Sequence, residues 1–185
     1  MEFQKQKQKL RQYNNYLQSV LTKKVHVPIN HIGSNIQQNL KEMIAYKIEG
    51  RCIVEGFIKR NSTKIISYSS GKVNGDLIEF YVSFECMICY PAEGMIVNCQ
   101  VKMISKAGIH AEVIDEDGNI PIVVFIARDH HMNDSSYKQT KENFEKLKKD
   151  EYMNIQVRII GTRFELNDPN ICTIGHIMHT KENEE

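Results

Sequence analysis

Two cysteines separated by two residues, Cys86 and Cys89, have the spacing of half a structural zinc site, and His130 with His131 could supply the other half. Structural zinc requires four convergent ligands. Cys86 falls on the apolar parity of a predicted strand, and the sequence has no second Cys-x-x-Cys motif. We therefore interpret both cysteines as packing residues and predict neither a metal site nor a cofactor.

A second group of reactive side chains, Asp129, His130, His131 and Asp134, could form a metal site or a general base. Segments that leave a strand are commonly rich in Asp, His and Asn. The sequence supplies no activated nucleophile, no Gly-rich phosphate loop and no paired carboxylates at a defined spacing. These absences favour a noncatalytic protein with no small-molecule substrate.

A third group could bind nucleic acid, because it combines cations with rings on neighbouring predicted strands. An exposed ring stacks on an unpaired base, and Lys and Arg contact phosphates. We predict RNA contact by seven residues: Lys102, Lys106, His110, Phe125, Arg128, Arg158 and Arg163. The alternative is that Phe125 points into a core and that the cations are ordinary solvated side chains.

These residues follow a change in apolar periodicity. From Ile78 to Ile88 every even position is apolar, which is the period of two expected of a half-buried strand. After Pro91 and Gly94, which favour a corner, the apolar residues occupy odd positions: Val97, Cys99, Val101 and Met103. The shift predicts that one folding unit ends near residue 90 and a second begins.

The first unit, residues 25–90, is predicted as a helix on a small antiparallel sheet. A short strand at 25–29 precedes a capping box of Ser34 and Gln37. The helical face that follows comprises Ile36, Leu40, Met43, Ile44 and Ile48. Three further strands are predicted at 51–59, 64–69 and 77–88, separated by Asn-, Ser- and Gly-rich turns.

The second unit, residues 91–180, is predicted as an all-β five-stranded OB barrel. The strands are expected at 95–105, 108–115, 120–127, 152–164 and 171–179, with a helix-prone segment at 135–150. A helix inserted after the third of five strands is the order of the OB fold, which binds oligonucleotides across its second and third strands.

The ends of the chain are interpreted separately. Residues 1–24 form a basic extension whose apolar residues recur at helical spacing: Leu10, Tyr13, Leu17, Val20 and Leu21. We predict an amphipathic helix there, which could pack on its own domain, fray, dock on a partner or contact RNA. Residues 181–185 form an acidic tail.

Composition limits the function classes. The net charge of +1 is uneven, because residues 1–24 carry +5 and the rest of the 185-residue chain carries −4. A body of this kind is not typical of a tight, nonspecific DNA binder. No run of about 18 apolar residues and no signal peptide are evident, so we expect an intracellular protein without a membrane partner. Five cysteines without framework spacing suit a reducing compartment.

Several motifs, in order, resemble one known family. They are the strand at 25–30 with Ile32-Gly33-Ser34-Asn35, the turn Ile48-Glu49-Gly50-Arg51-Cys52, the strand at 79–85, the joint Pro91-Ala92-Glu93-Gly94-Met95, and the hairpin Lys106-Ala107-Gly108-Ile109-His110-Ala111-Glu112. The chain thereby resembles the stalk subunit of multisubunit DNA-directed RNA polymerases, the seventh-subunit family of polymerase II together with its archaeal counterpart.

The resemblance implies a noncatalytic subunit with a tip domain and an OB domain. The tip would dock on the polymerase core and pair with a fourth-subunit-like partner, while the barrel would contact single-stranded nascent RNA during transcription. Such a subunit would lie in the nucleus of a eukaryote, or in the cytoplasm or virion if the source is a large DNA virus. The alternative is a free OB-fold RNA-binding factor in translation or RNA decay.

Overall fold

The computed structural model describes residues 15–33, 35–131, 135–146 and 153–178, which divide into two compact units. The tip unit comprises Tyr16–Tyr90 together with Glu165–Pro169. The barrel unit comprises Pro91–Phe164 and the described residues from Asn170 onward.

The tip unit is a six-stranded sheet with one helix. In chain order its elements are β1 (Leu17–Pro28), α1 (Ile36–Ile48), β2 (Cys52–Ile53), β3 (Gly56–Ile58), β4 (Lys64–Tyr68), β5 (Lys72–Asn74) and β6 (Leu77–Cys89). The long strand β6 organises the sheet: β1 pairs antiparallel with one edge of β6 from end to end, and β3, β4 and β5 share its other edge.

The core of the tip unit lies between α1 and one face of β1 and β6. Leu40, Ile44 and Ile48 are the buried residues of the helix, at the spacing of one helical face. They share a cluster with the buried residues of β1 and β6: Val25, Val27, Phe80, Val82, Phe84, Cys86 and Ile88. The even parity of β6 therefore faces the helix, and the predicted α+β tip is confirmed.

The amphipathic helix predicted in the N-terminal extension is wrong for the residues that the structure describes. Leu17–Pro28 is a strand, with Leu17 opposite Ile88 and Pro28 opposite Leu77. The apolar residues of this segment have helical spacing, but burial along it alternates with a period of two and is complete at Val25 and Val27. Twelve paired residues along β6 decide in favour of the strand. Residues 1–14 lie outside the described part of the chain.

Three smaller expectations also differ. The N-cap of α1 is Asn35, whose side chain makes no capping hydrogen bond, while the predicted capping residue Ser34 lies outside the described residues. The single strand expected at 51–59 is a hairpin of β2 and β3, in which the chain reverses at Val54 and Glu55 and Gly56 follows with a φ of 130°. The structure adds β5, which the sequence did not indicate.

The barrel unit contains β7 (Ile96–Ile104), β8 (Gly108–Val113), β9 (Ile122–Ala127), β10 (Asn154–Arg163) and β11 (Ile171–Ile177). These strands close in the order β10, β11, β9, β8, β7, with β11 and β9 parallel and every other pair antiparallel. A helix, α2 (Ser135–Lys146), is inserted between the third and fourth strands. This is the expected five-stranded OB-like barrel, and the prediction is confirmed.

The interior of the barrel follows the alternation of each strand. Val97, Ile109, Val124, Val157 and Ile171 are among its fully buried residues. Across the described helices, none is both long and apolar enough to cross a membrane.

Candidate nucleic-acid interface

The centre of the candidate interface is a pair of rings on the outer surface of the barrel. His110 of β8 lies directly opposite Phe125 of β9, and their ring centroids are 4.8 Å apart with the planes inclined at 50°. Their sequence neighbours Ile109, Ala111, Val124 and Ile126 are buried inside the barrel. Both rings therefore point outward and are partly exposed, so Phe125 does not fill the core.

Gly108 provides the space in which the Phe125 ring lies. A Cβ atom at Gly108 would come within 2.9 Å of Phe125 Cζ and 2.2 Å of the carbonyl oxygen of Ile126. The Phe125 ring therefore packs over the Gly108 backbone, in space that a side chain at position 108 would occupy. The glycine of the predicted Lys-x-Gly hairpin has a local steric role at the interface.

A bulge in β7 changes the direction of Met103. The sequence pattern placed Met103 on the interior parity with Val97, Cys99 and Val101, and that expectation is wrong. The pairing with β8 shifts between Val101 and Met103, so Met103 lies opposite His110 and its side chain is 53% exposed. On the other side of the ring pair, Ile174 of β11 lies opposite Phe125 and is 45% exposed.

Three of the predicted cations lie near the rings. Lys102 is at the bulge, and its Nζ is 3.7 Å from Glu112 Oε2. That oxygen is buried and has no hydrogen-bond partner, so the contact with Lys102 is an ion pair without a hydrogen bond. Lys106 is exposed in the β7–β8 turn. Arg128 lies beside this turn, because its backbone N–H donates to the carbonyl oxygen of Ala107 at 3.0 Å.

The other two predicted cations lie on β10, the strand that pairs with β11 next to Ile174. Arg158 of β10 is opposite Ile96, six residues from Lys102 along β7 or about 20 Å at the usual rise of a strand. Arg163 is opposite Cys172 at the far end of β10. The structure therefore groups Lys102, Lys106, His110, Phe125 and Arg128 on one side of Ile174, and places Arg158 and Arg163 on β10 on its other side.

The sequence did not indicate that Met103 and Ile174 belong beside the rings. Met103 depends on the bulge, for which β7 carries no glycine or proline signal. Ile174 depends on the parallel pairing of β9 and β11, two strands that are far apart in sequence. The alternation of Thr173, Ile174 and Gly175 could have predicted that Ile174 points outward. It could not have predicted that Ile174 lies next to Phe125.

The described residues that were considered for metal or acid–base chemistry form no metal-ligand cluster. Cys86 and Cys89 are both buried, and burial raises the pKa of the Cys86 thiol to about 11. Asp129 forms an ion pair with Arg128 at 3.7 Å, and His130 is exposed. The side chain of His131 and the whole of Asp134 lie outside the described residues. Among the residues that are described, no three His, Cys, Asp or Glu side chains converge as metal ligands.

The tip unit exposes aromatic side chains of its own. Tyr46 is 83% exposed on α1, Tyr81 is 54% exposed on β6, and Tyr90 is 55% exposed after it. Tyr68 is 41% exposed. Phe57, by contrast, is only 2% exposed and belongs to the core.

Comparison with known proteins gives consistent relatives. The chain is 25% identical over 180 residues to a protein of Acanthamoeba polyphaga mimivirus named as a DNA-directed RNA polymerase subunit, with 92% of this chain and 85% of the relative aligned. It is 25% identical over 168 residues to the RNA polymerase II subunit RPB7 of Glycine max, covering 85% of this chain and 89% of the relative. The resemblance to the RNA polymerase stalk-subunit family is confirmed.

A third stalk-family relative, RNA polymerase II subunit 7 of Arabidopsis thaliana, is 23% identical over 154 residues, with 78% of this chain and 82% of the relative aligned. No protein-family profile matches the chain. The alignments extend over most of each stalk-family protein, so the likeness includes both the tip unit and the barrel unit.

Proposed function

We propose that this protein is a noncatalytic stalk subunit of a DNA-directed RNA polymerase. The observation that carries the proposal is the match to polymerase subunits from a virus and two plants over 78% to 92% of the chain. A helix-backed tip sheet followed by an OB-like barrel agrees with it. The subunit would act where its polymerase acts, in a eukaryotic nucleus or in the cytoplasm or virion of a large DNA virus.

Within this proposal the tip unit docks on the polymerase core and pairs with a fourth-subunit-like partner. Its exposed rings support this role, since Tyr46, Tyr81 and Tyr90 present apolar area that a free small domain gains nothing by exposing. Tyrosine is also enriched in protein interfaces, where its ring packs and its hydroxyl stays hydrated.

The barrel unit in turn contacts single-stranded nascent RNA. The His110 and Phe125 rings lie on the second and third barrel strands, where OB folds bind oligonucleotides, and Lys102, Lys106 and Arg128 surround them. Arg158 and Arg163 would contact RNA only if the strand extends from the two rings past Ile174 to β10.

The proposal is tested by affinity purification of the tagged full chain from its own cells or particles, followed by a salt wash and mass spectrometry. We expect the large polymerase subunits and a small partner to remain bound. Tyr46→Ala combined with Tyr90→Ala should lower polymerase recovery, whereas the exposed barrel change Ile114→Ala should not. Recovery with ribosomes or a nuclease, and without polymerase, would favour the free RNA-binding factor instead.

A further inference from the structure

A single row of four side chains crosses the outer surface of the barrel. Cross-strand pairing places Met103 opposite His110, His110 opposite Phe125, and Phe125 opposite Ile174. The row spans β7, β8, β9 and β11, and three interstrand spacings make it about 14 Å wide. More than one nucleobase can lie across such a row.

The row is apolar and partly open to solvent. Met103 and Ile174 are 53% and 45% exposed at its two ends, and the rings of His110 and Phe125 lie in contact between them. Two local features build it, namely the bulge that turns Met103 outward and the missing side chain of Gly108 that seats Phe125. Neither feature adds to the core, since each exposes apolar surface.

The positive charge beside the row is small and partly neutralised. Lys102 is paired with Glu112 at 3.7 Å, and Arg128 is paired with Asp129 at 3.7 Å. Lys106 projects from the turn beside Arg128. Lys106 and Arg128 lie on the side of the row nearest the β7–β8 turn, and Lys102 lies on the opposite side, next to Glu112. Arg158 and Arg163 lie on β10, next to Ile174.

We infer that this row is a stacking platform that holds unpaired bases of RNA mainly through apolar contact, with Met103 and Ile174 as base-contacting residues. The inference rests on the proposed RNA contact of the barrel and deepens it. Single-stranded RNA is favoured over a polypeptide because the row centres on two rings and has cations on both of its sides, where the phosphates that flank stacked bases would lie.

This assignment has a measurable consequence for salt dependence. Each phosphate contact to a single strand contributes about 0.7 to the log-log slope of affinity against salt, so two or three contacts give a slope of about 1.4 to 2.1. A basic groove that follows the backbone over many nucleotides would give a steeper slope. Most of the affinity should instead disappear when the bases are removed.

The test uses fluorescence anisotropy with the full chain and two probes, a labelled single-stranded oligoribonucleotide and an abasic ribose-phosphate chain of the same length. We expect the oligoribonucleotide to bind at least tenfold more tightly than the abasic chain. The double variant Met103→Ala with Ile174→Ala should weaken oligoribonucleotide binding by about tenfold and leave abasic binding unchanged. Ile114→Ala removes an exposed isoleucine of the same unit outside the row and is the matched control.

Three results would overturn the platform. They are equal binding of the two probes, no effect of the double variant, and no binding of the oligoribonucleotide. A fourth also would: if the double variant keeps RNA affinity but loses polymerase in the affinity purification, the row is a protein contact. Failure of the proposed function is distinguishable, because it appears as absence of polymerase from the purification of the unaltered chain.

Discussion

At the residue scale, Glu79 is a buried carboxylate of the tip sheet that contacts two basic side chains. It is 8% exposed, and its carboxylate accepts a hydrogen bond from Lys24 Nζ at 2.8 Å, with His26 Nε2 at 3.5 Å. The Lys24 hydrogen bond lowers the pKa of Glu79 below its ordinary value of 4.5, although burial opposes the shift. The same hydrogen bond raises the pKa of Lys24.

These shifts predict the pH range in which the pair stabilises the fold. Because the pKa of Glu79 is lower when folded, its contribution is present above pH 4.5 and is lost as the pH falls through the folded value. Urea unfolding at pH 7 should show Glu79→Gln as less stable than the unaltered chain. The difference should vanish on acidification.

Glu85→Gln, on the same strand, is the control for the general loss of a carboxylate. Its effect at pH 7 should be smaller than that of Glu79→Gln. A Glu79→Gln deficit that persists unchanged at pH 3 would show that packing, not the ion pair, accounts for the role of this residue.

At the element scale, the first part of β1 was predicted to be a helix and is a strand. Two valines of β1 distinguish these two conformations. Val27 is fully buried and Val20 is 62% exposed. They are seven residues apart, so a strand places them on opposite faces, whereas a helix would place them on the same face. Val27→Ala should lower the free energy of unfolding by about 1 to 3 kcal/mol.

Val20→Ala is the matched control, and its effect should remain within about 0.5 kcal/mol. Urea unfolding of both variants provides the comparison. Similar losses for the two valines would contradict the strand and favour a helix in this segment.

The sequence predicted an element well where a single apolar period continued over many residues. The alternation over Ile78–Ile88 placed β6 and its buried face correctly, because a half-buried strand of this length has few alternatives. β1 was different, since its partner residues on β6 lie about 50 to 70 positions away and only their pairing selects a strand over a helix.

The candidate interface shows the same limit. His110 and Phe125 could be chosen from the sequence because they are rings on the second and third strands of a recognisable barrel. Met103 could not, since one slipped pair in the β7–β8 ladder reverses its direction. The β2–β3 hairpin was missed for a related reason. A two-residue reversal inside a mostly apolar segment does not change the composition from which a strand is predicted.

At the scale of the whole molecule, the proposed RNA contact is consistent with the charge of the chain only if a larger assembly provides the RNA. The chain carries a net charge of +1, and the described cations beside the rings are partly paired with acids. Such a protein has little long-range attraction for RNA in solution. A polymerase that delivers the transcript to the barrel removes this requirement, because the transcript is then present at high local concentration.

Nascent RNA in an intact elongation complex should therefore crosslink to the barrel even though the free chain binds weakly. With a photoreactive base near the exit of the polymerase, we expect crosslinks within residues 95–165, centred on the β7–β8 turn. Lys106→Ala should reduce them and flatten the salt slope by about 0.7, because one phosphate contact is lost. Lys41→Ala, the same change at an exposed position of α1, should have no effect. If other subunits at the exit are labelled while residues 95–165 never are, the barrel is a scaffold and its OB-like form does not indicate RNA contact in this protein.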